Sequence, residues 1–376
     1  MVLADRTATA MERTLPGRYF VDPEIYRREQ ANIFAAMWVC VGRADERPNA
    51  GDYLTTEIAG ESVIVVRTRD GELRAHLNVC RHRGARICTE DHGNCGQVLQ
   101  CRYHAWSYAL DGRLVGAPNL KREEELDPAE MSLFPAHLEV WQGLIWVSIA
   151  DEPGPLPDQI EPPILKRLGS LEKFDRWGLG GLALGKRITY DVASNWKIVV
   201  ENFMECYHCG PVHPELCRLL PDFNNGISYQ GLPGEGTGFA DDISLFSLSG
   251  TGSREKLPGI TAEEDRQYFA FVLWPNVFVN LLPDHVIVHI LQPTGVDTSR
   301  VIFDWIFAAD EVAKPGFDPS DTVDAFHVTN EQDWMVSAWT QLGMSSKAFA
   351  DGGVFVANER HIAAFRDFIL DRVGDI

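Results

Sequence analysis

The chain has 376 residues, enough for two domains or for one large domain carrying an insertion. Its 45% hydrophobic and 23% charged composition is that of an ordinary soluble globular protein. A formal charge of −20 speaks against nucleic acid or an anionic membrane surface as a partner. The opening MVLADRTATAMERTLPG lacks the apolar core of a secretory signal. The most apolar stretch, FAFVLWPNVFVNLLPDHVIVHIL, is broken by Pro275, Pro283 and Asp284, so it is not a membrane-spanning helix, and a cytoplasmic location is expected.

In chain order, Asp22-Pro23-Glu24 ahead of IYRREQANIF predicts a helix start, with Asp at the cap and Pro in the first turn. From about Gly51 the pattern shortens to strands. ESVIVVRT and LRAHLNV flank an Asp70-Gly71 turn and predict a hairpin. GQVLQC, AWSYALDGRLVG and EVWQGLIWVSIA continue the series, turning at Asp111-Gly112 and Gln142-Gly143. DEPGPLPDQIEPP is Pro-rich and polar and reads as a connector. Beyond it come the strand KRITYDV, a helix opening at Ser194-Asn195, and a loop-rich stretch to about residue 260. YFAFVLW, NVFVNLL, HVIVHILQP and RVIFDWIFA predict a four-strand meander. Ser320 is the expected cap of a helix over DTVDAFHVTNEQDWMVSAWTQL, stopping at Gly343, with a final helix from about Ala357. The order implies an α+β architecture in which a small antiparallel β domain is inserted into a domain of antiparallel sheet and helices.

Eight cysteines in a cytosolic chain are better read as ligands, reactive groups or buried thiols than as a disulfide framework. Cys80 and His82 form C-x-H, and after a gap of eighteen residues Cys101 and His104 form C-x-x-H. Four such ligands suit a structural zinc ion, or a [2Fe–2S] cluster with two thiolates on one iron and two imidazoles on the other. Zinc fingers usually group two Cys together and two His together on a helix, a grouping absent here. NVCRHRGARI and CRYHAWSYALDGRLVGAP resemble the cluster loops of the Rieske family, specifically the large (alpha) subunit of Rieske non-haem iron oxygenases. The resemblance implies that Cys80, His82, Cys101 and His104 hold a Rieske [2Fe–2S] cluster. Cys88 and Cys95, between the loops, are expected to be plain thiols.

NWKIVVENFMECYHCGPVHPEL offers His208 and His213 five residues apart across a Gly-Pro break, unlike the single helical face of H-E-x-x-H. Two imidazoles and a carboxylate on one face of an ion form the facial triad of non-haem Fe(II) oxygenases. E-N-x-x-E-C-Y-H-x-x-x-x-H is similar to the mononuclear-iron motif of the Rieske oxygenases, which implies His208 and His213 as ligands. NEQDW is similar to the family segment supplying the third, nominating Asp333, with Asp324 as fallback. Glu331 lies about 200° around the helix from Asp333 and cannot face the same ion. The resemblance also casts Glu205 as the electron bridge from an iron-site histidine to His104 of a neighbouring subunit. Glu at this position is similar to the branch acting on betaines and other quaternary ammonium compounds. Cys206, Cys209 and Glu215 are read as structure.

The resemblance implies a fold of a Rieske three-sheet antiparallel β domain inserted in a helix-grip-type catalytic domain. The expected division is an N-terminal helical segment over 1–45 packing on the catalytic domain, a Rieske domain over 46–155 and a catalytic domain over 156–376. GLGGLA at 178–183 precedes a strand, the wrong context for a dinucleotide fingerprint, and GEGTGF at 234–239 lacks the third glycine. Electrons from NAD(P)H are therefore expected through a separate flavin/iron–sulfur reductase. Phe271, Trp274, Phe278, Phe303 and Trp305 lie on the meander expected to line the active site, where aromatics could box a quaternary ammonium. The implied activity is O2-dependent N-demethylation of a small betaine-like compound such as glycine betaine, stachydrine or carnitine, in a homotrimer. The alternatives are an aromatic ring-hydroxylating dioxygenase and a non-catalytic Rieske electron carrier.

Overall fold

The period-2 pattern of the meander places its side chains on two faces of one sheet. In the computed structural model, which describes residues 11–119, 127–227 and 232–374, this sheet has six antiparallel strands. Their spatial order is Leu182–Val192, Ser299–Ala308, His285–Pro293, Val277–Leu281, Gln267–Leu273 and Thr237–Gly238. Tyr268, Ala270, Phe278, Ile287 and Phe303 face one way, into a core shared with the helices Trp196–Met204 and Ser320–Met344. Phe269, Phe271, Val279, Val288 and Ile306 face the other way.

That second face is covered by a helix at Leu156–Leu168, where a connector was expected. Leu156, Ile160, Ile164 and Leu168 recur every fourth residue and bury against the sheet. Burial of such a stripe, at about 25 cal/mol per Å2, outweighs the cost of Pro162 and Pro163 within the helix. The last long helix begins with Ser320 as its first residue. Its N-cap is Pro319, and the Asp318 carboxylate accepts from the Ser320 N–H at 3.0 Å, so Ser320 is not the cap. Asp22 and Asn195 do cap their helices, accepting from the Glu24 and Lys197 N–H groups.

The hairpins of the first half build a seven-stranded sheet and a separate three-stranded one, Val98–Gln100, Ser107–Ala109 and Leu114–Gly116. The larger sheet starts from the strand Val39–Arg43, N-terminal to residue 46, which pairs with Leu144–Ser148. The N-terminal helices reach the catalytic core through one buried ion pair. Lys197 Nζ stands 2.6 Å from Glu29 Oε1, both side chains fully buried, and the Trp196 indole donates to Glu29 Oε2 at 2.7 Å. Among the described residues no helix is long and apolar enough to cross a membrane.

Candidate metal centres

The two cluster loops share one backbone template. Gly84 N–H donates to Cys80 O and Ala105 N–H to Cys101 O, at 3.0 and 2.9 Å. Each Cys N–H then donates to the carbonyl five residues on, at 2.8 Å in both loops. Closing these turns puts Gly84 and Ala105 at φ 73° and 58°, the left-handed region, which is costly for Ala105. Cys80 and Cys101 are buried while His82 and His104 are exposed, with imidazole centroids 4.6 Å apart. His82 stacks on Trp106 at 4.9 Å. The Tyr108 hydroxyl lies 3.3 Å from Cys80 Sγ, within reach of a hydrogen bond to sulfur. Two cysteines inside and two exposed imidazoles fit a [2Fe–2S] group, which Cys80, His82, Cys101 and His104 would hold, and a hydrogen bond from Tyr108 to the Cys80 sulfur would raise its potential. Cys88 and Cys95 are free thiols.

At the second centre, the helix Trp196–Met204 ends at Glu205, where the backbone turns extended and releases the chain into a loop. Across 125 residues the helix Ser320–Met344 returns Asp333. Asp333 Oδ1 lies 3.2 Å from His208 Nε2 and 3.0 Å from His213 Nε2, so the three predicted ligands converge. The other nitrogen of each ring is also held. His208 Nδ1 is 2.5 Å from Glu205 Oε1, and His213 Nδ1 is 2.7 Å from Gln332 Oε1. Glu215 accepts from Gln332 Nε2 at 3.2 Å, and Asn202 donates to Asp333 Oδ1 at 3.0 Å. Outer partners of this kind fix tautomer and ring orientation in metal sites.

Burial alone would raise the Asp333 carboxyl, but hydrogen bonds and charge from His208 and His213 outweigh it and hold the group at about 2. Burial would lower His208, yet Asp333 and Glu205 together raise it to about 10. Asp333 is thus ionised and His208 carries the one extra proton where a divalent cation would sit, so metal uptake would release it.

Cys209 Sγ is a rival for the third position, because it lies within 4.8 Å of ligand nitrogens of both His208 and His213. It is bonded to Cys206, however, with Cα atoms 4.9 Å apart. The sequence reading of two packing residues is corrected here to a disulfide. A sulfur already in a disulfide is a poor ligand, so the donor set left is two imidazoles and one carboxylate, which suits Fe(II). Asp324 is exposed on the far side of its helix, and Glu331 is exposed and 3.6 Å from His327. Gln332 and Asn202 were assigned no role from sequence; adjacency to Asp333 was the available signal for Gln332, and a place in the E-N-x-x-E motif for Asn202.

Next to the three ligands a narrow cavity of about 70 Å3 is walled by Phe203, Tyr268, Phe278, His289, Phe303 and Trp334. Of the five meander aromatics, Phe278 and Phe303 line it. Phe271 points to the opposite face beside Phe174, Trp274 packs 4.6 Å from Phe368, and Trp305 lies behind Phe303 at 5.6 Å. The Tyr268 hydroxyl donates to Asn280 Oδ1, so Asn280 Nδ2 donates to His289 Nε2 at 2.7 Å. That assignment leaves the His289 proton on Nδ1. Burial holds His289 well below the usual histidine range, hence neutral.

Family models match twice: a Rieske [2Fe–2S] domain over residues 37–138, and the ring hydroxylating alpha subunit (catalytic domain) over 179–375, just over half of the chain. The carnitine monooxygenase oxygenase subunit of Escherichia coli is 29% identical, covering 96% of this chain and 94% of that one. The glycine betaine monooxygenase oxygenase subunit of Pseudomonas aeruginosa is 26% identical, covering 96% and 89%. In fold, the chain is similar to the quaternary ammonium Rieske monooxygenase CntA solved with L-carnitine, at TM-score 0.75, 24% identity and 96% coverage of both chains. With its cluster loops and its converging imidazoles and carboxylate, the chain belongs to the ring-hydroxylating alpha-subunit family of Rieske non-haem iron oxygenases, enzymes with a [2Fe–2S] cluster, a mononuclear iron and a separate reductase.

Proposed function

We propose that the protein is the oxygenase component of a monooxygenase that oxidises a small quaternary ammonium compound at an N-methyl carbon, which leaves as formaldehyde. His208, His213 and Asp333 would hold the iron, and Cys80, His82, Cys101 and His104 the cluster. Bound there, the metal groups supply O2 activation and electrons that originate from NAD(P)H through the reductase. Glu205 holds the Nδ1 side of His208 and is the bridge to the cluster side. Among the described residues Glu205 hydrogen-bonds neither His82 nor His104. The family resemblance assigns the link to His104 of a second copy; such a link would need a head-to-tail ring, for which the resemblance suggests a homotrimer.

The observation that carries the substrate class is the aromatic cavity. Phe203, Phe278, Phe303 and Trp334 wall it with aromatic rings, a surrounding that suits a cation with no N–H to donate. His289, neutral, offers an N–H at the same wall to an acceptor such as a carboxylate arm. A zwitterionic betaine matches both. The names of the relatives, carnitine and glycine betaine monooxygenase oxygenase subunits, support the same class.

The test is oxygen-dependent turnover with a surrogate reductase and NADH, offering glycine betaine, carnitine, stachydrine and a simple arene. Formaldehyde in proportion to O2 consumed, from a quaternary amine alone, is expected. A cis-diol from the arene, with no amine consumed, would overturn the reading in favour of a ring dioxygenase, whose substrates the same aromatic walls would suit. An O2-coupled amine product without formaldehyde would move the attacked carbon off the methyl group.

A further inference from the structure

The disulfide between Cys206 and Cys209 brackets His208 within a four-residue ring, directly after Glu205. Both sulfurs border the cavity beside the iron ligands. Cys209 is 2% exposed and Cys206 5%, so the cavity is their approach from solvent. No structural need explains the bond: a ring this short removes little freedom from the unfolded chain.

We propose that Cys206 and Cys209 form a thiol–disulfide switch on the iron site, in which reduction frees Cys209 Sγ to bind the metal and oxidation withdraws it. The proposal rests on the assignment of His208 and His213 as iron ligands. Ligands on one ion with bonds of roughly 2.0–2.3 Å stand about 3–4.5 Å apart. Cys209 Sγ, within 4.8 Å of both rings, needs only a small loop movement to reach such a position. Opening the ring supplies that freedom. A thiolate there is a softer donor than the Asp333 carboxylate and would fill a position needed for O2 or substrate. The reductant is a dithiol small enough to enter the cavity. It gives two electrons and two protons to the S–S bond and becomes a disulfide itself, leaving two protein thiols. Cys209 then passes its proton to water as the sulfur–metal bond forms. Substrate in the cavity blocks the route, so a working enzyme is protected and an idle one is exposed.

The test uses the full-length protein with its cluster intact and Co(II) in place of the mononuclear iron. A water-soluble phosphine serves as reductant, since it carries no thiol; it takes up one oxygen from water as the disulfide becomes two thiols. Mass mapping of alkylated, metal-free protein should find Cys206 and Cys209 blocked before reduction and free after it. The Co(II) protein should then gain a thiolate-to-metal charge-transfer band, read as a difference from Cys209→Ser. The Cys206→Ser protein should show the band without reductant, and Cys209→Ser should never show it. Iron-loaded enzyme should lose at least tenfold in turnover on reduction, more slowly with glycine betaine present. Thiols already free in the isolated protein, or verified reduction without the band, would overturn the switch. Failure of Co(II) to depend on His208, tested with His208→Ala, would instead overturn the metal assignment beneath it.

Discussion

At the cluster loops the thiols of Cys80 and Cys101 are buried and the imidazoles of His82 and His104 stand in solvent. At the proposed iron site His213 is almost wholly buried, and His208 and Asp333 are partly buried. The proposed cluster ligands fall within 25 residues on two copies of one turn, whereas Asp333 comes from a helix 125 residues beyond His208. An electron port needs an exposed edge and local rigidity, which a tight turn provides. A site that admits O2 and a small substrate must exclude water, and that takes packing between distant elements. The histidine is common to both, but its free nitrogen is treated differently: open to a partner at the loops, occupied by Glu205 or Gln332 at the iron site.

The largest effects are expected from removing one proposed ligand at each centre. His213→Ala should lose the mononuclear iron and turnover by far more than the roughly 10–100-fold typical of an outer-partner change, while keeping the cluster signal. His82→Ala should do the converse. Iron and acid-labile sulfide analysis with electron paramagnetic resonance of the reduced protein would check both; loss of both centres in either variant would mean they are not independent. Next in size, Glu205→Gln should retain both centres yet slow reoxidation of the reduced cluster by O2 and substrate about 10–100-fold in stopped-flow. Unchanged reoxidation would remove Glu205 from the electron path. The smallest effect is expected at Tyr108→Phe. Losing one hydrogen bond of about 1 kcal/mol to Cys80 Sγ should lower the cluster potential by roughly 40 mV, measured by redox titration, with the iron site untouched.

Legibility followed the same division. The C-x-H and C-x-x-H loops and the hairpins around them were readable because ligand, turn and strand lie within one short window. His208 and His213 were nominated by a motif resemblance, and Asp333 by a resemblance combined with helical geometry that sets Glu331 aside; the fold brings the three side chains together. The disulfide was not legible, since C-x-x-C alone is compatible with thiols, ligands or a bond, and only the loop's path brings the sulfurs together. The helix over Leu156–Leu168 was obscured by its prolines, which dominate a local reading until the sheet that buries its stripe is known. Which meander aromatics face the cavity depends on strand register. Phe278 and Phe303 share the face of Tyr268 and Ile287, while Phe271 is out of phase with them.

The buried pair of Lys197 and Glu29 carries a lesson for anyone dividing this molecule. The stretch matched as a catalytic domain begins at residue 179, but the counter-charge for Lys197 sits far upstream, and so does the acceptor for the Trp196 indole. Breaking a buried pair from one side costs about 3–5 kcal/mol, a large part of a domain's total stability. Lys197 opens the same helix that ends at Glu205. A fragment started at 179 would thus carry an orphan cation at one end of the helix that sets its own metal loop. The catalytic unit is not portable: its first residues in space are among its first in sequence, and the redox module is threaded between them and the rest.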